Sequence, residues 1–296
     1  MVGGLLNLQL GHATVRAEIL QLFKPFTLSC AMLVRIQNHA ELPPVVVLKV
    51  YDRRFAAQLR RDERSGLWSR EVEHRYHQFI QDGGAANFIA ELECVDDEDD
   101  DDDDEGPDVR QDVVHHEAYL QHEMKKSSKT EMRAYGSLLQ YQGTHIPKFY
   151  GSVRVHGSGS FNEYVDIQGI LIEYISGFCL TELSTFCTKD QWQLVREDAI
   201  HIVHCLNSAG VLNRDVKLRN FLVHKDTEGR FKVVIIDLAI CMFRHEFEDE
   251  EEWRELKQFF HEEKAVGMAL WEKLEPHFVY RRSEYWKGLD EEFDPE

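Results

Sequence analysis

The chain has 296 residues, with 34 Lys and Arg against 53 Asp and Glu and a formal net charge of −19. That balance excludes an extended nucleic-acid surface, which must neutralise phosphates with clustered Lys and Arg. No apolar run approaches the ~20 residues that span a bilayer. The 43% hydrophobic fraction is a globular composition, and the length suits one large domain or two modest lobes.

Met1 to Leu6 has no cationic segment ahead of an apolar stretch, so no secretory signal is expected. Six cysteines, with no CxxC pair among them, read as reduced thiols of an intracellular protein, cytoplasmic or nuclear.

In chain order, 18–23, 28–36 and 45–51 are rich in β-branched and apolar residues, with breaks at Pro25 and Pro43-Pro44. They predict a three-stranded antiparallel meander. The segment from about 56 to 127 reads as an insertion that leans to disorder, although Trp68 to Ile80 has apolar residues at helical spacing. It contains Asp96 to Glu105, ten consecutive acidic residues that repel one another and predict a solvated, mobile loop. A helix resumes near Ser128, where Met132, Tyr135, Leu138 and Leu139 recur at helical spacing. Strands follow near 148–155 and 167–175, bracketing a turn at Gly157-Ser158-Gly159-Ser160. The count is five strands with one helix among them.

Thr188 to Ala209 predicts a helix with an apolar stripe of Trp192, Val195, Ala199, Ile202, Val203 and Leu206. Thr188 and Gln191 fit a capping box, and Gly210 supplies the stop. Two short strands, 220–223 and 233–236, surround the turn 226–229. A single helix is expected from about Glu246 to Leu274, its acidic start suiting the positive end of the helix dipole.

The chemistry concentrates in Asn213-Arg214-Asp215-Val216-Lys217-Leu218-Arg219-Asn220, with Asp237 following 17 residues after Asn220. An Asp and an Asn five apart on a loop, then an Asp at the end of a buried strand, supply hard oxygen ligands for Mg²⁺ beside substrate phosphates. The first Asp can orient an attacking hydroxyl. Lys49 lies inside an apolar strand, where an ammonium needs a partner unless it snorkels from an edge. Glu131 is the natural partner, although Ser128-x-x-Glu131 is also a capping-box pattern.

Taken together, these residues resemble the eukaryotic protein-kinase-like superfamily, most closely the kinase-like proteins common in filamentous fungi. Val47-Leu48-Lys49-Val50 is similar to the V-A-I-K strand, Asn213-Arg214-Asp215 stands for H-R-D, and Asp237-Leu238-Ala239 for D-F-G. Leu171 to Ile175 resembles a gatekeeper and hinge, with Ile172 as gatekeeper. The resemblance implies an α+β, two-lobed kinase-like fold. It would have an N-lobe at 16–175, with a five-stranded sheet plus helix C, and a shortened, mainly helical C-lobe at 176–296.

It implies ATP and Mg²⁺ as cofactors and phosphoryl transfer to a hydroxyl of a protein or small molecule, with no nucleic-acid or membrane partner. Asp215, Lys217 and Asn220 would be catalytic. Lys49, Glu131, Glu173, Ile175 and Asp237 would bind the nucleotide, and Asn220 and Asp237 the metal. Arg214 would pair with a carboxylate or phosphate.

The chain also departs from that pattern. The first hairpin turn, Phe23 to Thr27, has no glycine, and Pro25 there has no N–H to offer a phosphate. No A-P-E follows Ala239, and only 57 residues remain. The alternative is a pseudokinase, a nucleotide-binding or scaffolding module without turnover.

His201, His204 and Cys205 have a spacing that can grip zinc but read as ordinary helix packing. His115, His116 and His122 read as surface residues. The charge total divides unevenly: Asp96 to Glu105 carries −10, Glu246 to Glu252 −6 and Asp290 to Glu296 −5, leaving +2 on the rest. The kinase-like body is therefore near neutral and compatible with a single nucleotide.

Overall fold

The computed structural model describes residues 1–95, 112–155 and 163–274. The acidic run at 96–105, the expected turn at 157–160 and the acidic tail at 290–296 lie outside the described residues. The chain divides into two compact units, Met1–Lys129 with Tyr150–Tyr174, and Thr130–Phe149 with the residues from Ile175 onward.

In the first unit, β1 (Leu5–Leu10), β2 (Ala13–Phe23), β3 (Cys30–Gln37) and β4 (Val45–Tyr51) form an antiparallel meander. Period-two patterning sets the buried face: Cys30, Met32, Val34 and Ile36 alternate inward along β3. β4 also buries Lys49 and Tyr51 on its other face, so it behaves as a central strand.

Between β4 and the rest of the sheet come α1 (Ala57–Asp62), α2 (Arg70–Gln81), α3 (Gly84–Val95) and α4 (Val113–Ser137), then β5 (Phe149–Val155) and β6 (Ile167–Ile172). The strands close into a barrel in the order β1-β2-β3-β4-β6-β5.

The expected sheet of five strands is therefore corrected to six. The added strand, β1, precedes residue 16 and pairs with both β2 and β5, which removes the two edges an open sheet would leave. Leu8, Val15, Ala17, Ile19, Val34, Val46 and Leu48 fill the interior. Each of the Leu, Val and Ile side chains contributes roughly 1.5–3 kcal/mol on burial. Gly169 lets β6 approach β4, since a Cβ there would stand 2.7 Å from the Lys49 carbonyl oxygen.

The segment from 56 to 127 also differs from expectation. Its described residues are mostly helical and carry their own core, built from Tyr76, Ala85, Phe88 and Ala118. Arg60 donates two 2.8 Å bonds to the buried Glu117 carboxylate, bridging α1 to α4. His115 is not a surface residue; its ring meets Phe79 and Phe88 edge-on at 4.9 and 4.8 Å. The helix expected near Ser128 begins 15 residues earlier, at Val113. Ser128 and Glu131 are interior to it, so the capping-box reading is overturned.

The second unit contains the last turns of α4, β7 (Phe178–Cys179), α5 (Leu183–Phe186), α6 (Lys189–Ser208), β8 (Val211–Asn213), β9 (Phe221–Lys225), β10 (Phe231–Ile235) and β11 (Cys241–Phe243). α7 (Glu250–Phe260) and α8 (Glu262–Leu274) follow. α6 buries the expected stripe of Trp192, Val195, Ala199, Ile202, Val203 and Leu206 against β10 and α8. Thr188 is its N-cap but makes no side-chain capping bond, and Gly210 ends it at φ +74°. The single helix expected from Glu246 to Leu274 is two, broken by His261 in the left-handed region at φ +42°.

Candidate functional site

In the second unit, β8 pairs antiparallel with β11, Asn213 facing Cys241, and delivers the chain into the loop that carries Asp215. The buried Asn213 side chain acts in two directions. Its Nδ2 donates to the Asp237 carbonyl at 3.2 Å, and its Oδ1 accepts from the Asp215 amide at 3.2 Å. Five residues on, Asn220 Nδ2 donates to the Asp215 carbonyl at 2.8 Å and to its carboxylate Oδ2 at 3.0 Å. The Ile236 amide donates to the Asn220 carbonyl at 2.7 Å. Asp215, Asn220 and Asp237 are therefore one hydrogen-bonded frame.

Charge gathers on that frame. The Asp215 carboxylate is paired with the Lys217 ammonium, and Arg219 stands 3.5 Å from its Oδ2. Both cations are more than half exposed, so these pairs orient the carboxylate more than they stabilise the fold. Cys179 Sγ and the Leu218 carbonyl lie 3.6 Å apart, placing β7 against the same loop. Arg214 lies over the Phe260 ring at 5.4 Å, a cation–π contact where a carboxylate or phosphate partner was expected.

Asp237 is held at φ +68°. Among non-glycine residues, Asn and Asp are enriched in the left-handed region, because their short polar side chains can bond locally. Leu238 and Ala239 behind it are buried. The fully buried Glu131 on α4 accepts a bond from the Leu238 amide at 3.3 Å through Oε1, so this carboxylate positions the Asp237 segment directly.

Lys49 and Glu173 belong to the first unit, and Glu131 and Ile175 to the second. Lys49 is only 5% exposed, on a strand paired on both sides with Ala31 and Ile170 opposite, and its ammonium lies 5.7 Å from the Tyr51 ring centre. The edge-strand reading is thereby excluded. Ile172 is buried at the end of β6, and Glu173 follows it, half-buried. Burial, then the charge of Glu173, raises the Tyr150 phenol above its ordinary value.

Sequence reasoning missed Arg219 as a partner of Asp215, although its i+4 spacing was a readable signal. It also missed the bond from Leu238 to Glu131, which spans 107 residues and has no local signature.

No protein-family model matches the chain, and no curated protein matches it. Among solved structures, the chain is similar to the crystal structure of the Rio2 kinase–ADP/Mg²⁺–phosphoaspartate complex from Chaetomium thermophilum, with a TM-score of 0.49 and 12% sequence identity. The match covers 92% of this chain and 61% of that one, so this chain spans about three fifths of that chain's length. No helix among the described residues is long and apolar enough to cross a membrane.

Proposed function

We propose that the protein is an ATP- and Mg²⁺-dependent phosphotransferase acting on a hydroxyl of a protein or small molecule. The observation that carries this reading is the frame in which Asn213 and Asn220 tie Asp215 to Asp237. Asn220 turns its amide nitrogen to Asp215, which leaves its Oδ1 as a hard ligand atom. The Asp237 carboxylate supplies a second, and both suit Mg²⁺.

The bound metal would neutralise charge developing on the phosphates. Asp215 accepts a hydrogen bond from the acceptor hydroxyl and orients it, while Lys217 offsets charge on the transferred group. Lys49 offsets phosphate charge, and Glu131 fixes the Asp237 segment. Glu173 and Ile175 offer backbone groups to the adenine edge. On this reading 16–175 acts as the small lobe and 176–296 as the reduced large lobe.

A thermal-shift titration tests nucleotide binding. Mg-ATP raises the Tm of the wild-type chain in proportion to ln(1 + [L]/Kd), and removing Mg²⁺ or introducing Asp237→Asn abolishes most of the shift. No shift with any nucleotide sinks the reading.

One observation favours the alternative, a pseudokinase. The turn from Phe23 to Thr27 is held by packing rather than by glycine: Phe26 meets Phe55 at 6.3 Å, and the Thr27 carbonyl is taken by the Gln58 amide at 3.1 Å. The turn is thereby fixed without the freedom of glycine, and Pro25 within it has no N–H to close over phosphates. Mg-dependent stabilisation without turnover would support that second reading.

A further inference from the structure

We propose that His145, His201 and Cys205 form a binding site for one zinc ion, distinct from the Asp215–Asp237 frame. Their ligating atoms all lie within 4.8 Å of one another. His201 and Cys205 are one turn apart on α6, with Nε2 and Sγ 3.4 Å apart. His145 comes from a different element, the turn after α4. Its ring meets His201 edge-on at 5.7 Å and stacks on Tyr141 at 5.4 Å. His204, which shares the helix, is not in the cluster.

Two nitrogens and a sulfur form a donor set that suits zinc over Mg²⁺ or Ca²⁺. Tetrahedral Zn²⁺, with bonds of about 2.0–2.1 Å to nitrogen and about 2.3 Å to sulfur, brings ligand atoms to roughly 3.3–3.6 Å from each other. The His201–Cys205 pair already has that separation, and His145, with a ring nitrogen within 4.8 Å of both, would supply the third ligand. The His145 backbone is fixed on both sides, its amide donating to Tyr141 at 2.9 Å and its carbonyl accepting from Ile235 at 2.8 Å.

Three protein ligands leave the fourth position to water. The cluster is half-buried and His201 is exposed, so an ion reaches it from solvent. On binding, the Cys205 thiol releases its proton to solvent and the thiolate sulfur bonds the metal.

Charge around the cluster is suitable. Asp198, one turn before His201 on the same helix face, acts on both His145 and Cys205, while Lys232 acts in the opposite sense on His145. Asp198 also accepts the Val233 amide at 2.9 Å. Through Asp198 and the His145 carbonyl, the ion would fasten α6 and the turn at 141–146 to β10, the strand that runs to Asp237. Its role on this geometry is to brace that strand.

The test uses the untagged full-length chain, titrated with Zn²⁺ against a chromogenic chelator and with Co²⁺ by absorption. The expected result is one equivalent bound, a thiolate-to-cobalt charge-transfer band, and a rise in Tm with zinc. Cys205→Ser should abolish the band. His201→Asn, at an exposed position, should weaken binding by at least ~10-fold while leaving the metal-free Tm unchanged. Cys94→Ser should bind like wild type, and Asp237→Asn, which removes the proposed Mg²⁺ ligand, should leave zinc binding intact. Absence of stoichiometric binding, or binding by Cys205→Ser and His201→Asn as tight as that of wild type, overturns the proposal.

Discussion

Asn220 holds Asp215 twice, donating from one side-chain nitrogen to its carbonyl at 2.8 Å and to its carboxylate at 3.0 Å. A residue that serves both the backbone and the side chain of its partner sets the loop's shape and the direction of the carboxylate together. Asn220→Ala therefore has two effects. It leaves the part-buried Asp215 carbonyl without this donor, at a cost of about 1 kcal/mol in denaturant unfolding. It also removes a proposed metal ligand, so Mg²⁺ affinity in the presence of nucleotide falls further than the stability loss explains.

Asp237 separates conformation from ligation. At φ +68°, Asn retains the left-handed backbone and Ala does not. Asp237→Asn should unfold at nearly the wild-type temperature but lose Mg-dependent nucleotide binding. Asp237→Ala should lose the same binding and also about 1 kcal/mol of stability. Paired thermal and Mg²⁺ titrations of the two variants distinguish the contributions.

Glu262 makes stability depend on pH. Burial pushes its carboxyl up to about 8, against the lowering effect of the 2.8 Å bond from Asn207 Nδ2 and of the Asn213 backbone. In the unfolded chain it titrates near its ordinary value of 4.5. Between those values the folded state holds a proton that the unfolded state has released. Stability is therefore fully present at low pH and falls as pH rises toward about 8. Glu262→Gln should flatten that slope and be the more stable chain above about pH 8, measured by unfolding across pH.

Tyr76 tests whether the helical segment is integral to the first unit. It is fully buried between α2, α3 and α4, and its hydroxyl donates to the Tyr164 carbonyl at 2.9 Å. Tyr76→Ala should cost about 3–5 kcal/mol, and Tyr76→Phe, which loses only the hydrogen bond, about 1 kcal/mol. A segment that merely decorated the barrel would give little change in either variant.

Legibility in the sequence follows the range of the interaction. β2, β3 and β4 were readable because alternation along a strand is local, and the α6 stripe because 3.6-residue periodicity is local too. β1 was not read: Leu5 to Leu10 is short, and its worth comes from closing the barrel against β5, some 145 residues later. Among the helices between 57 and 95, α2 was signalled by the helical spacing from Trp68 to Ile80, whereas α1 was obscured by charge, since Arg53 and Arg60 are paired with Glu73 and Glu117 rather than solvated. In the candidate site, the residue types at Asp215, Asn220 and Asp237 were legible from spacing. The bond from Leu238 to Glu131 and the meeting of His145 with α6 depend on tertiary placement and leave no local pattern.

The central claim is that Asp215 serves phosphoryl transfer. The direct measurement is Mg-ATP hydrolysis or transfer to a hydroxyl acceptor by the wild-type chain beside Asp215→Ala, with nucleotide binding followed in both. The account predicts turnover that falls by roughly 10²–10⁴-fold in the variant while nucleotide binding persists. Equal rates in the two chains, or no turnover in the wild type, would contradict it.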